Sequence, residues 1–205
     1  MQTPDDKWAA RYGGDEYYYG VEPNDFLREQ AGRLAPGARV LCLAEGEGRN
    51  AVFLAERGCA VTAVDASASG LKKLERLAAE RGVRVEAVLA DLADFEVGTA
   101  RWDAVVSIWA HVPPALRRDL YARCVRGLRP GGVLILEAYR PEQLAFKTGG
   151  PPDPALMPRL SDLREELKGL DLPLAREAER EVREGRGHGG RSATVQVVAV
   201  KPGAA

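Results

Sequence analysis

Short apolar runs of strand length alternate with helix-period segments along most of this chain. Val40-Leu41-Cys42-Leu43 predicts a first strand, and Ala51, Leu54 and Ala55 mark the buried stripe of a helix that stops at Gly58. Ala60 to Val64 predicts a second strand. Ser67 is placed to cap a helix whose apolar positions are Leu71, Leu74, Leu77 and Ala78. That helix should end near Gly82, and Val83 to Ala87 alternates as a third strand. Trp102 to Ile108 predicts a fourth, Pro114 opens a helix running to Gly127, and the turn Pro130-Gly131-Gly132 leads into a fifth strand, Val133 to Ala138. Strands alternating with helices predict a mostly parallel sheet covered on both faces.

Beyond residue 149 the pattern changes. Gly149 to Pro154 is a loop, and Leu160 to Gly169 predicts a helix. Pro173 to Arg183 and Ser192 to Val200 are two strand-like runs with no helix between them. Joined by the glycine-rich stretch Gly185 to Gly190, they should form an antiparallel hairpin.

The chain's 205 residues suit one domain with a substantial core. Lys plus Arg total 29 and Asp plus Glu 30, a net charge of -1 that argues against a broad basic surface for nucleic acid. The three cysteines, Cys42, Cys59 and Cys124, lie apart without metal-ligand spacing, and no metal is expected. Residues 1–7 lack an apolar signal core, and no apolar run reaches bilayer length. The expectation is therefore a cytoplasmic protein without membrane or nucleic-acid partners. The pattern leaves its oligomeric state open.

Candidate chemistry centres on Glu45-Gly46-Glu47-Gly48-Arg49-Asn50-Ala51, between the first strand and its helix. A strand, a glycine turn, a helix and then Asp65 at the end of the next strand form half of a nucleotide-binding unit, with Asp65 placed to accept hydrogen bonds from a ribose diol. The turn matches G-x-G-x-x-[GA] of dinucleotide sites. Three features turn the reading away from NAD(P). Little chain remains for a second substrate segment. Asp91-Leu92 pairs an acid with an apolar residue after the third strand, a combination suited to an adenine. The closing hairpin is foreign to dinucleotide folds.

Glu45-Gly46-Glu47-Gly48-Arg49-Asn50, Asp65, Asp91-Leu92, Arg129-Pro130-Gly131-Gly132 and Gly187-His188-Gly189-Gly190-Arg191 together resemble the class I S-adenosylmethionine (SAM)-dependent methyltransferases. The chain is most similar to the bacterial group containing tellurite and thiopurine methyltransferases, over nearly its whole length. The resemblance implies an α/β Rossmann-like fold with a seven-stranded sheet in the order 3-2-1-4-5-7-6, strand 7 antiparallel. It implies a single domain, with residues 1–35 as a helical lid, 36–140 as the SAM-binding core and 141–205 as the substrate side. SAM would be bound by Glu45, Gly46, Gly48, Arg49, Asn50, Asp65, Ala66, Asp91, Leu92 and Ser107, leaving S-adenosylhomocysteine as product. Asp94 is an alternative to Asp91.

Catalytic candidates are His111 after the fourth strand, His188 and Arg191 in the glycine-rich connection, and Tyr19 in an N-terminal aromatic cluster that also holds Trp8 and Tyr12. Arg140 is a weaker candidate, and Trp109 a candidate pocket wall. For each histidine the alternative is a structural imidazole, and for the connection a flexible basic loop. The expected reaction is methyl transfer to a soft nucleophile: a thiol, or a selenium or tellurium oxyanion. The rivals are an NAD(P)-dependent reductase and a catalytically silent SAM-binding protein. The silent rival draws on two departures, since Cys42 and Ala44 stand where the family has an acid and a glycine. Ala44 must then fit with a negative φ or accept strain. Glu45, Asn50 or Arg49, the last facing the methionine carboxylate, are candidates to replace the missing acid.

Overall fold

The computed structural model describes residue 8 and residues 11–203. Its seven strands are β1 (Arg39–Leu43), β2 (Ala60–Asp65), β3 (Glu86–Leu89), β4 (Trp102–Ile108), β5 (Leu128–Tyr139), β6 (Asp171–Glu184) and β7 (His188–Val200). They form one sheet in the order β3-β2-β1-β4-β5-β7-β6, as expected. The first five strands run parallel, and β7 is antiparallel to both β5 and β6. The helices are α1 (Asp25–Gln30), α2 (Arg49–Glu56), α3 (Ala68–Glu80), α4 (Pro114–Gly127) and α5 (Leu160–Glu166).

Side chains alternate across β1, so Val40 and Cys42 face one layer and Leu41 and Leu43 the other. The first layer is closed by Phe26 and Leu27 of α1, Leu54 of α2, and Leu71 and Leu74 of α3. The second is closed by Leu120 and Tyr121 of α4 and by Leu163 of α5. Burial on both faces explains the near-continuous apolar runs of the central strands.

Three boundaries differ from the sequence pattern. β3 begins at Glu86, because pairing with β2 sets Thr62 opposite Glu86 and leaves Val83 and Val85 in the approach to the strand. The Pro130-Gly131-Gly132 turn is an irregularity within β5: Leu128 pairs with Trp102 and Val133 with Ala104, and the intervening residues bulge. The hairpin connection shrinks to Gly185-Arg186-Gly187, because Glu184 and His188 already face each other in the β6–β7 ladder. His188 is therefore the first residue of a strand and is buried, not part of a loose loop.

This topology positions the site. The parallel strands all end on the same edge, and the chain reverses direction across the sheet between β1 and β4. Ligands of open α/β sheets bind at such a switch point. Among the described residues no helix is long and apolar enough to cross a membrane. No cluster of three or more His, Cys, Asp or Glu among them is arranged for a metal.

Candidate functional site

A cavity of about 440 Å³ opens at this switch point, a size suited to a small ligand or cofactor. Its floor is the glycine turn between β1 and α2, represented by Ala44, Glu45, Glu47, Arg49 and Asn50. Asp65 and Ala66 follow β2, Asp91 and Leu92 follow β3, and Ile108, Trp109 and His111 follow β4. Trp8, Tyr12 and Tyr19 close it from the N-terminal side, and His188 from the hairpin. Val112, Pro113 and Leu116 add an apolar wall.

The turn is strained at Ala44. Ala44 sits at φ 50°, so it accepts the left-handed conformation at a cost of about 1–2 kcal/mol. Trp109, leaving β4, does the same at φ 57°. Gly46 and Gly48 have φ values of 61° and 91°. At Gly46 a Cβ would lie 2.7 Å from Tyr12 Oη, and at Gly48 it would lie 2.5 Å from Leu74 Cγ. Gly46 thus lets the N-terminal aromatic segment close on the turn, while Gly48 lets α3 pack against it.

Acids hold the turn in place. Glu45 Oε1 accepts the backbone N–H groups of Asn50 (3.0 Å) and Ala51 (2.8 Å) at the start of α2. Burial pushes its carboxyl up to about 7 despite those bonds. Asp65 both holds the turn and lines the cavity. Its Oδ1 accepts from Ser67 N and its Oδ2 from Gly46 N, both at 2.8 Å. Burial raises its pKa, and the backbone bonds oppose that shift. Ser67 caps α3 through Gly70 N. Asp91 lines the cavity and accepts from Ala93 N at 2.8 Å, whereas Asp94 is not among the walls.

The two histidines differ in what they have free. His111 Nε2 accepts the Tyr139 backbone N–H at 3.0 Å, and burial first, then His188, lowers its pKa to about 3. To act as a base it would have to give up the Tyr139 bond. His188 instead directs Nδ1 at Glu184 Oε2, 3.1 Å away. Its Nε2 has no hydrogen-bond partner among the described residues. Burial lowers its pKa too, against the pull of Glu184.

Of the residues expected at the site, Tyr19, Glu45, Arg49, Asn50, Asp65, Ala66, Asp91, Leu92, His111 and His188 all line the one cavity. Gly46, Gly48, Ser107 and Arg191 do not. The glycines shape its floor from behind, and Ser107 is buried with its hydroxyl 3.1 Å from Tyr121 Oη. Arg191 is exposed and pairs with Glu179 at 2.6 Å. Arg140 pairs with Glu142 at 2.8 Å, also away from the cavity. Arg49 reaches toward the hairpin: its Nη2 donates to Glu184 Oε2 at 2.7 Å. Sequence reading missed Glu47 and Glu184. The only signal for Glu184 was its spacing of four from His188, which becomes a contact once the hairpin register is known.

A family model described as "Methyltransferase domain" matches residues 40–132. The chain is 30% identical, over 137 residues, to an uncharacterised methyltransferase of Synechocystis sp., a match covering 65% of this chain and 60% of that protein. It spans between 37% and 60% of the length of the curated relatives it matches. Among solved structures, magnesium protoporphyrin IX methyltransferase from Synechocystis with bound S-adenosylhomocysteine superposes with a TM-score of 0.69 at 22% identity, covering 96% of this chain and 93% of that one. TehB from Haemophilus influenzae superposes with a TM-score of 0.71 at 17% identity, covering 96% and 66%. The fold is that of the class I methyltransferases, and residues 40–132 match the methyltransferase domain model.

Proposed function

We propose that the chain transfers a methyl group from SAM to a small-molecule acceptor that is a soft nucleophile, a thiol or a selenium or tellurium oxyanion. The observation carrying this reading is the convergence of Asp65 and Asp91, from two successive strand ends, on one aromatic-walled cavity. That spacing suits a nucleoside, with Asp65 on the ribose diol and Asp91 with Leu92 on the adenine. Glu45, Asn50 and the backbone of the glycine turn face the methionine end. The cavity walls carry Asp65 and Asp91, neither paired with a cation among the described residues, which favours a cationic ligand. SAM supplies an electrophilic methyl group on a sulfonium. Trp8, Tyr12 and Tyr19, in the described part of the expected lid over residues 1–35, of which 1–7, 9 and 10 lie outside the described residues, offer that charge aromatic faces and exclude water.

The protein's own contribution is alignment and desolvation, with proton removal where the acceptor needs it. Of the four catalytic candidates, Tyr19 and His188 have geometry suited to this work, with ring centroids 4.6 Å apart. The tellurite and thiopurine subgroup is supported by the sequence resemblance and by the likeness of fold to TehB. The near-neutral charge supports a protein without nucleic-acid partners, and the free cysteines Cys42, Cys59 and Cys124 support a reducing cytoplasmic setting.

Calorimetry with SAM, S-adenosylhomocysteine and NAD(P) tests the cofactor. Release of S-adenosylhomocysteine with a panel of thiols, thiopurines, selenite and tellurite tests the activity. SAM binding with no release from any acceptor would favour the silent rival, and NAD(P) binding alone would favour the reductase.

A further inference from the structure

Glu184 is a heavily engaged carboxylate beside the cavity-lining Arg49, Trp109 and His188. Its Oε2 accepts from Arg49 Nη2 at 2.7 Å and from Trp109 Nε1 at 2.6 Å, and it lies 3.1 Å from His188 Nδ1. Its Oε1 accepts from Asn24 Nδ2 at 2.8 Å. The side chain is 4% exposed. Burial opposes its charge, but the bonds from His188 and Arg49 hold its carboxyl well below the usual carboxylate range. An ionised carboxylate only accepts, so the neutral His188 ring carries its proton on Nδ1 and its lone pair on Nε2.

The same contacts bear on the acceptor. Arg49 is the only cavity-lining cation among the described residues, and Glu184 neutralises it. Asp65 and Asp91 remain on the walls. Among the described cavity-lining residues no free positive group therefore awaits an oxyanion, while Trp109, Val112, Pro113 and Leu116 offer an apolar bed.

We propose that Glu184 is a positioning residue that holds His188 with Nε2 as a proton acceptor at the cavity, and that the methyl acceptor is a neutral thiol with an apolar body. This rests on the methyltransferase reading above and narrows it. The thiol's S–H bond breaks and its proton passes to Nε2 of His188, leaving the electron pair on sulfur. That pair forms the bond to the methyl carbon. The bond from that carbon to the sulfonium breaks, and its electrons stay on the donor sulfur. The imidazolium formed is stabilised by Glu184. The titratable and charged groups around the buried ring are Glu184 on β6, Arg49 on α2, Arg11 and Tyr19 on the N-terminal segment, Tyr139 on β5 and His111 after β4.

Two thiols separate this role from a structural one: benzyl mercaptan, protonated at neutral pH, and 4-nitrothiophenol, already ionised there. Using the full chain with SAM, His188→Gln and Glu184→Gln are expected to lower kcat with benzyl mercaptan by about 10²-fold or more. With 4-nitrothiophenol, which needs no base, the loss in each variant should be much smaller than with benzyl mercaptan. Wild-type kcat/KM with benzyl mercaptan should rise with pH along a limb that Glu184→Gln displaces.

Nitrogen-15 NMR of the wild-type imidazoles gives a readout independent of turnover: His188 should be protonated on Nδ1. Equal losses with both thiols, a proton on Nε2, or methylation of tellurite or selenite in place of thiols would overturn the proposal. SAM binding without thiol turnover overturns it alone. Failure to bind SAM overturns the methyltransferase reading together with it.

Discussion

The Lys73 ammonium of α3 lies 2.7 Å from Glu47 Oε1, inside the glycine turn, with both side chains almost wholly buried. The other oxygen of Glu47 accepts the backbone N–H groups of Tyr18 (2.8 Å) and Tyr19 (3.3 Å), and Lys73 also donates to the Glu16 carbonyl at 2.7 Å. The pair thus ties the N-terminal aromatic segment to the floor of the cavity. Removing one partner of a buried pair costs about 3–5 kcal/mol, because the other charge is left uncompensated. Glu47→Gln is expected to lower Tm and to speed amide exchange at Tyr18 and Tyr19 first. Exchange at those amides no faster than elsewhere would show that the pair does not hold the segment.

Gly48 and Ala44 make opposite predictions within one turn. Gly48→Ala adds a left-handed alanine, about 1–2 kcal/mol, and drives a methyl into Leu74, about 1–3 kcal/mol more. For a chain of this size each kcal/mol lowers Tm by about 2–4 °C. Ala44→Gly relieves the same backbone strain, offset by about 0.5–1 kcal/mol of glycine entropy. It should leave Tm equal or slightly higher and SAM binding intact. A calorimetric scan of both variants checks this, and a marked Tm loss in Ala44→Gly would contradict it.

Glu45 should leave a signature in the pH dependence of stability. Its pKa is raised in the folded state from an ordinary 4.5 to about 7. The folded protein therefore holds this proton more tightly than the unfolded chain does. The resulting stabilisation is complete below about pH 4.5 and is lost as pH rises to about 7. Glu45→Gln, neutral throughout, keeps an acceptor for the α2 N–H groups. It should match wild type near pH 4.5 and exceed it at pH 8, the gap opening by at most about 1.4 kcal/mol per pH unit. Urea titrations at several pH values measure that gap. A gap independent of pH would mean that Glu45 does not titrate in this window.

His111 and His188 should separate by experiment. His111→Ala leaves the Tyr139 backbone N–H without its acceptor and removes a ring stacked on Tyr139 at 5.6 Å. The expected cost is about 1–3 kcal/mol of stability, with the shape of the pH–rate profile unchanged. A large fall in kcat at unaltered Tm would instead give His111 a chemical role.

Legibility followed the range of the interactions involved. The glycine turn, Asp65 at the end of β2, and Pro114 opening α4 were readable because each is a local signal spanning a few residues. The parallel core was readable because burial on both faces makes its strands uniformly apolar. Glu184 was not: in Arg180-Glu181-Val182-Arg183-Glu184 it looks like the solvent face of an edge strand. Its partners Asn24, Arg49 and Trp109 lie 160, 135 and 75 residues away. The start of β7 was misplaced because Gly187 to Gly190 carries turn residues, while the ladder to β6 decides their conformation. Glu47 was passed over as a variable position of the glycine motif, its role depending on Lys73 and on a segment nearly thirty residues upstream.

The hairpin also bears on the order in which the site is assembled. β6 joins the sheet only through β7, so it cannot take its place before β7 does. The two strands pair in register down to a three-residue turn, the kind of short-range contact a chain makes early. Glu184 and His188 face each other at the closed end of that unit, so their pairing needs no other part of the protein. Arg49, Trp109 and Asn24 meet the pair only when β7 docks beside β5. The hairpin thus brings Glu184 and His188, already paired, to the half of the sheet that carries the glycine turn.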